Sequence, residues 1–306
     1  MHLPLESVKG SLDCDRCLSL PRGQGDVPLV KAVTKFIFRR QCRRQIDPKA
    51  LGYLFNRLPR LQSVVYEPWQ RSGQVLIVDS LDLDTIKYHL PRSLKRVSIF
   101  ENTDKCILKA HRWLKPLTSG VWRSELPILG RIFAKRSLDF EKLSVAFLID
   151  SNDFFQSCQQ EWIWEHLSLL CLTARTLTQT NHPDVISSTL KSAAAAALSM
   201  PCLHTMTLWN SVQSEACKFI YSAESGSTSV SWKGTWNLQM EPSMIHDWQK
   251  VAQKYTRYNL QIIQEPEILV QVESHSHAVE LLEFPAEVID PISLWQMRKE
   301  EQFGQH

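Results

Sequence analysis

Seven six-residue windows of this chain share one arrangement, apolar-x-x-apolar-x-apolar. They begin at Val33, Leu61, Leu94, Phe140, Trp164, Leu203 and Tyr255. Their fourth positions are Phe36, Val64, Val97, Leu143, Leu167, Met206 and Tyr258, and their sixth are Phe38, Tyr66, Ile99, Val145, Leu169, Leu208 and Leu260. The fifth position holds Ile37, Val65, Ser98, Ser144, Ser168, Thr207 and Asn259, polar in five of the seven. Side chains on a strand alternate between faces, so positions four and six point one way and position five the other. A single unit cannot cover such an apolar face, and stacking neighbours into one sheet does. The windows therefore predict an irregular leucine-rich-repeat-like α/β solenoid with a mostly parallel sheet, an apolar core on one face and a polar lining on the other.

The segments between windows carry helical spacing. Asp47-Pro48 supplies an N-cap and a first-turn proline, and Leu51, Leu54, Phe55 and Leu58 form a stripe that ends at Leu58-Pro59. A second helix is predicted from Ser80 to His89, stopping at Leu90-Pro91, and a third from Pro183-Asp184 to Met200-Pro201. Window starts are separated by 28, 33, 46, 24, 39 and 52 residues, an uneven solenoid. Right-handed crossovers place the helices on the outer side of the sheet. Further on, Cys217, Phe219 and Tyr221 alternate with polar residues, Glu224-Ser225-Gly226 makes a turn, and Val230 and Trp232 complete a β-hairpin. Glu241-Pro242 opens an amphipathic helix, and a strand near Asn259–Ile263 extends the sheet. The expected organisation is a loose lead-in over 1–28, the solenoid over 29–211, and a hairpin-helix-strand extension over 212–306 packed on the same sheet.

With 306 residues, 43% hydrophobic and 22% charged, the chain has the composition of a globular protein. A net charge of +3 gives no support to nucleic-acid or membrane binding. The first residues lack a basic stretch followed by an apolar one, and no apolar run is long enough to span a bilayer. Eight scattered cysteines, with Cys171 beside a strand, fit an intracellular, reducing location in cytoplasm or nucleus. Ten glycines are about half the usual share, which counts against a phosphate-cradling enzyme.

Several stretches have a more particular character: Phe36-Ile37-Phe38-Arg39-Arg40-Gln41 with Arg43-Arg44, Leu58-Pro59-Arg60-Leu61, and Tyr66-Glu67-Pro68-Trp69. To these add Phe100-Glu101-Asn102, Leu172-Thr173-Ala174-Arg175-Thr176-Leu177, Thr207-Leu208-Trp209-Asn210 and Ser231-Trp232. Together, over residues 28 to 298, they resemble an uncharacterised family of fungal proteins whose domain of unknown function often follows an F-box. The resemblance implies a leucine-rich-repeat-like region that holds a target protein, as in the substrate receptors of ubiquitin ligases. It also implies an N-terminal F-box that docks to a Skp-type adaptor. Here that box is missing, and so are early strands between Cys14-x-x-Cys17 and Val33, so docking to the adaptor is not carried over.

The chemistry-bearing residues each have a plainer reading. Cys14-Asp15-Arg16-Cys17 has metal-knuckle spacing without a second pair, and His275-Ser276-His277 lacks a partner carboxylate, so neither metal nor cofactor is expected. Gly23-Gln24-Gly25 does not follow a strand, and Pro28 stands where a third glycine would fall. Glu165-His166 falls inside the fifth window and reads as core or edge rather than catalytic. Arg39, Arg40, Arg43 and Arg44 leave the first strand, and either bind an anionic partner or pair with Glu67 and Glu101 just past adjacent strands. Trp69 and Trp209 sit at strand exits, where anchoring aromatics often lie. The candidate partner-binding set is therefore Arg39, Arg40, Arg43, Arg44, Glu67, Trp69, Glu101, Asn102, Trp209 and Asn210. The leading expectation is a non-enzymatic protein-recognition scaffold; the alternative is nucleic-acid or phosphoinositide binding through Arg39–Arg44.

Overall fold

Residues 28–42, 46, 48–68, 89–101, 127–212, 214–224, 226–284 and 288–303 are described by a computed structural model of the chain. They form a mixed α/β structure built on one open nine-stranded sheet. The strands are β1 (Lys35–Phe38), β2 (Ser63–Tyr66), β3 (Arg96–Phe100), β4 (Lys142–Ala146), β5 (Leu169–Thr173), β6 (Thr205–Val212), β7 (Glu215–Glu224), β8 (Ser227–Gly234) and β9 (Leu260–Gln264). Their spatial order is their order in the chain, β1 to β9. Strands β1 to β6 pair in parallel, β6–β7 and β7–β8 are antiparallel hairpin pairs, and β8–β9 is parallel again.

Seven helices are present among the described residues: α1 (Pro48–Asn56), α2 (Pro127–Arg136), α3 (Ser151–Gln156), α4 (Pro183–Ala197), α5 (Pro242–Tyr255), α6 (His275–Leu282) and α7 (Pro291–Phe303). None is long and apolar enough to cross a membrane. The helices at Pro48, Pro183 and Pro242 start where the prolines predicted, because proline presets φ and lacks the N–H that a first turn leaves unpaired. The helix expected over 80–89 lies mostly outside the described residues.

Helices α1 to α5 cover the sheet face that carries Val64, Val97, Leu143, Leu170, Met206 and Phe219, all in one apolar cluster. Phe36 of β1 meets Phe55 of α1 edge-on at 5.5 Å, and Trp248 of α5 stacks on Tyr221 of β7 at 5.0 Å. The alanine run of α4 buries Ala193, Ala194 and Ala197, small side chains that let the helix lie close to the sheet.

Two windows are out of register. In the fifth, Leu143 of β4 pairs with Leu170 and Val145 with Leu172, so the unit begins at Leu167 and its fifth position is Cys171. The error arises because 167–172 is apolar on both faces. Period-two alternation is then silent. Glu165 and His166 accordingly lie exposed in the loop before β5. The seventh window fails because Tyr255 still belongs to α5, Tyr258 is exposed, and Leu260 only begins β9.

The larger departure concerns the second face. It is not an open hydrophilic lining throughout. After β9 the chain crosses to that face, and α6 and α7 bury Phe100, Ala146, Cys171 and Trp209 beneath Val279, Leu282 and Met297.

Candidate functional site

The exits of β1 and β2 meet the last helix in a compact polar junction. Both oxygens of the Glu67 carboxylate, which is buried, accept hydrogen bonds. The Arg40 backbone N–H donates at 3.2 Å and that of Asp290 at 2.8 Å, and the Ser293 hydroxyl completes the set. Burial pushes the Glu67 carboxyl above its usual range, even though those three donors pull the other way. Arg39 donates two hydrogen bonds to Asp290, at 2.8 and 3.3 Å, and Arg40 reaches Glu300 of α7 at 2.9 Å. Burial acts to raise the Asp290 carboxyl, but the hydrogen bonds from Arg39, Ile292 and Ser293 outweigh it and hold it below the ordinary range.

A second set of charges fixes the other end of the cover. Lys218 of β7 is buried and donates to the Glu283 carbonyl at 3.0 Å, while Lys233 of β8 pairs with the Glu283 carboxylate. Between the two helices, Ser276 donates to Glu301 at 2.7 Å and Arg298 lies 3.2 Å from Glu280. Charged groups thus hold both ends of the cover, and an apolar cluster fills its middle.

The candidate residues fall into three groups. Arg39, Arg40 and Glu67 come together in the junction, engaged with one another's neighbours and with α7. Glu101, Trp209 and Asn210 are buried: the Glu101 N–H donates to the Ala146 carbonyl at 3.0 Å, and the Asn210 amide donates to the Leu177 carbonyl at 3.1 Å. Trp209, expected as a rim anchor, packs edge-on against Phe147 at 5.1 Å and Phe284 at 5.0 Å, beneath α6. It is 0% exposed and belongs to the core, not to a free surface. Arg43, Arg44, Trp69 and Asn102 lie outside the described residues, as do Cys14, Cys17, Gly23 and Gly25. Of the histidine pair, His275 lies against the Phe147 ring at 4.2 Å, and among the described residues no group of three or more His, Cys, Asp or Glu could hold a metal ion.

The same face of the sheet has a part that α6 and α7 leave open, toward the starts of the parallel strands. One register row there runs Lys35, Ser63, Arg96, Lys142, Leu169, Thr205, Ser222, Ser229 and Gln261, one residue from each strand. None of these residues is buried. The row behind it is Ile37, Val65, Ser98, Ser144, Cys171 and Thr207 on β1 to β6, and it forms a small-residue floor in which Ser144, Cys171 and Thr207 are buried. Burial pushes the Cys171 thiol up to about 12.

Sequence reasoning missed this row, although its signal was present. The third window position shares a face with the fifth, and there it reads Lys35, Ser63, Arg96, Lys142 and Thr205. A separate cleft of about 690 Å³ lies where α4 and α5 begin, between Asn181, Ile186, Trp236 and Glu241. The Glu241 carboxylate there accepts from Ser187 at 2.6 Å and lies 3.5 Å from Lys191, so it serves to join the two helices.

The model of a family of unknown function (DUF6546) matches residues 89–290, from just before β3 to Asp290. The chain belongs to that family. No curated protein and no solved structure matches it. The DUF6546 match takes in Arg96, Lys142, Trp209 and both strand hairpins, while β1 and β2 lie before it.

Proposed function

We propose that the chain is a non-enzymatic protein-recognition scaffold, a leucine-rich-repeat-like solenoid that presents the open part of its inner face to a target. The observation that carries this reading is the unburied register row that crosses all nine strands from Lys35 to Gln261. A rigid sheet holds such a row in fixed spacing, so a partner meets preordered side chains and little ordering cost remains to binding. The resemblance to target-holding regions of F-box-type proteins points the same way, without docking to a Skp-type adaptor being carried over. All five cysteines among the described residues are free, which supports a reducing, intracellular compartment.

The alternative, anion binding through the arginine cluster, has less behind it: Arg39 and Arg40 already face Asp290 and Glu300. The test is a photo-cross-linking residue placed at Ser98 on the open face or at Ser192 on the outer face of α4. A partner captured at Ser98 and not at Ser192, which then binds the purified protein and is lost on Ser98→Trp, fits the proposal. Equal capture at both sites, or binding indifferent to Ser98→Trp, removes it.

A further inference from the structure

Four neighbouring strands place Lys35, Ser63, Arg96 and Lys142 side by side in one register row. Adjacent strands lie about 4.8 Å apart, so Arg96 and Lys142 are immediate neighbours and Lys35 stands two strands from Arg96. Like charges facing each other across a strand pair are destabilising. Little relieves them here. Glu141 approaches Arg96 at 3.8 Å, but their side chains are 61% and 42% exposed, and a solvated pair of that kind is weak. Among the described residues, Lys35 and Lys142 have no ion-pair partner.

We infer that this row binds an acidic peptide in extended conformation, laid across β1 to β4 with its carboxylates on Lys35, Arg96 and Lys142. The inference rests on the recognition reading above and gives it a partner class. Four strands span roughly 14 Å of sheet, which an extended segment of about five residues crosses, placing carboxylates at alternate positions within reach of the three cations. Ser63 and Ser98 supply hydroxyl donors for the peptide's carbonyl groups, and Ile37 and Val65 offer an aliphatic strip beside them. A single-stranded nucleic acid is a poorer fit, because the two rows offer hydroxyl, aliphatic and basic groups where base stacking wants aromatic ones.

The test measures fluorescence anisotropy of a short labelled peptide that alternates glutamate with alanine. A lysine-alanine counterpart and a short oligouridine serve as competitors. The glutamate peptide should bind wild type, weaken as salt rises, and lose about tenfold or more in affinity in the K35Q/R96Q/K142Q protein. The same loss is expected from Lys142→Glu alone, which guards against a fault peculiar to the triple variant. All three side chains are exposed, so melting temperatures should stay together. Unchanged affinity in both variants, or an oligouridine that outcompetes the peptide, overturns the inference. If cross-linking at Ser98 still captures a specific partner in that case, the recognition reading survives and only the acidic character falls.

Discussion

The Arg39 guanidinium holds the Asp290 carboxylate through two hydrogen bonds and so joins β1 to the start of α7 across 251 residues of sequence. With Arg40–Glu300 beside it and Glu67 between, the contact closes the cover over the strand exits. Asp290→Asn should cost about 1 kcal/mol at neutral pH. Since the folded Asp290 titrates below its usual range, the pair's contribution is whole above about pH 4 and is lost as the pH falls through the depressed value. Glu67 has the opposite sign: burial raises it, so the penalty for its ionised form is present above the raised value and disappears below. Denaturation midpoints of wild type and Asp290→Asn should therefore differ at pH 7 and converge in acid. A gap that stays constant into strong acid would contradict the assignment.

Trp209 offers a direct contrast between a core and a surface role. As a buried ring between Phe147 and Phe284, its replacement by alanine should cost about 3–5 kcal/mol, and Trp209→Phe distinctly less. Urea unfolding followed by far-ultraviolet circular dichroism decides it. A near-neutral Trp209→Ala would place the ring in solvent instead.

These two cases show what the sequence carried and where it stopped. The positions Val97, Leu143 and Met206 were legible because Ser98, Ser144 and Thr207 alternate with apolar residues along their strands, even though β4 and β6 are buried on both faces. Leu167–Leu172 was misread by three residues because Leu169 and Cys171, on its far face, stand where the neighbouring strands carry Lys142, Ser144, Thr205 and Thr207, so no period-two contrast is left to read. The cover was invisible for a related reason. Its contacts, Arg39 with Asp290 and Glu67 with Ser293, link residues more than 200 positions apart, and local spacing encodes no such distance. Phe147 adds a further case: at φ 64 it occupies a left-handed conformation that bulky residues avoid, held by its N–H donating to the Thr173 hydroxyl at 3.0 Å. Nothing in the residue type announces that turn.

Cysteine reactivity should follow depth. Burial pushes Cys171 and Cys158 up to about 12, and raises Cys217 further still, so their reactive thiolates are scarce at neutral pH. Cys202 is exposed. Brief alkylation of the folded protein, mapped by mass spectrometry, should label Cys202 and spare Cys171 and Cys217 until denaturant is added. Early labelling of Cys171 would mean that α6 and α7 leave the sheet on the timescale of the reaction.

Gly130 is a packing glycine. A Cβ there would sit 2.6 Å from the Asp153 Cβ and 2.8 Å from the Asp153 carbonyl carbon, where α2 crosses α3. The Asp153 backbone cannot step aside cheaply, because the neighbouring Asp150 caps α3 and also accepts from the Arg175 N–H at 2.8 Å. Gly130→Ala should therefore destabilise by about 1–3 kcal/mol, despite the better helix propensity of alanine. A stabilised variant in calorimetry would show that the two helices can separate at no cost.

The last strand leaves an edge with little protection. Nothing among the described residues pairs with the outer side of β9, and its Leu-Gln-Ile-Ile-Gln sequence carries neither charge nor proline. Exposed, neutral, isoleucine-bearing edges recruit further strands, and natural sheets usually blunt them with lysine. Ile262, paired with Val230, is 50% exposed and Ile263, paired with Ser231, is 42% exposed. Replacing both with lysine should leave the melting temperature within a few degrees, since half-solvated side chains contribute little to the core. The lysine stem can still lie along Val230 while its ammonium reaches water. Light scattering during heating should then begin later than in wild type. An unchanged onset would assign aggregation to another surface, and a large drop in melting temperature would show that Ile262 packs more tightly than its exposure indicates.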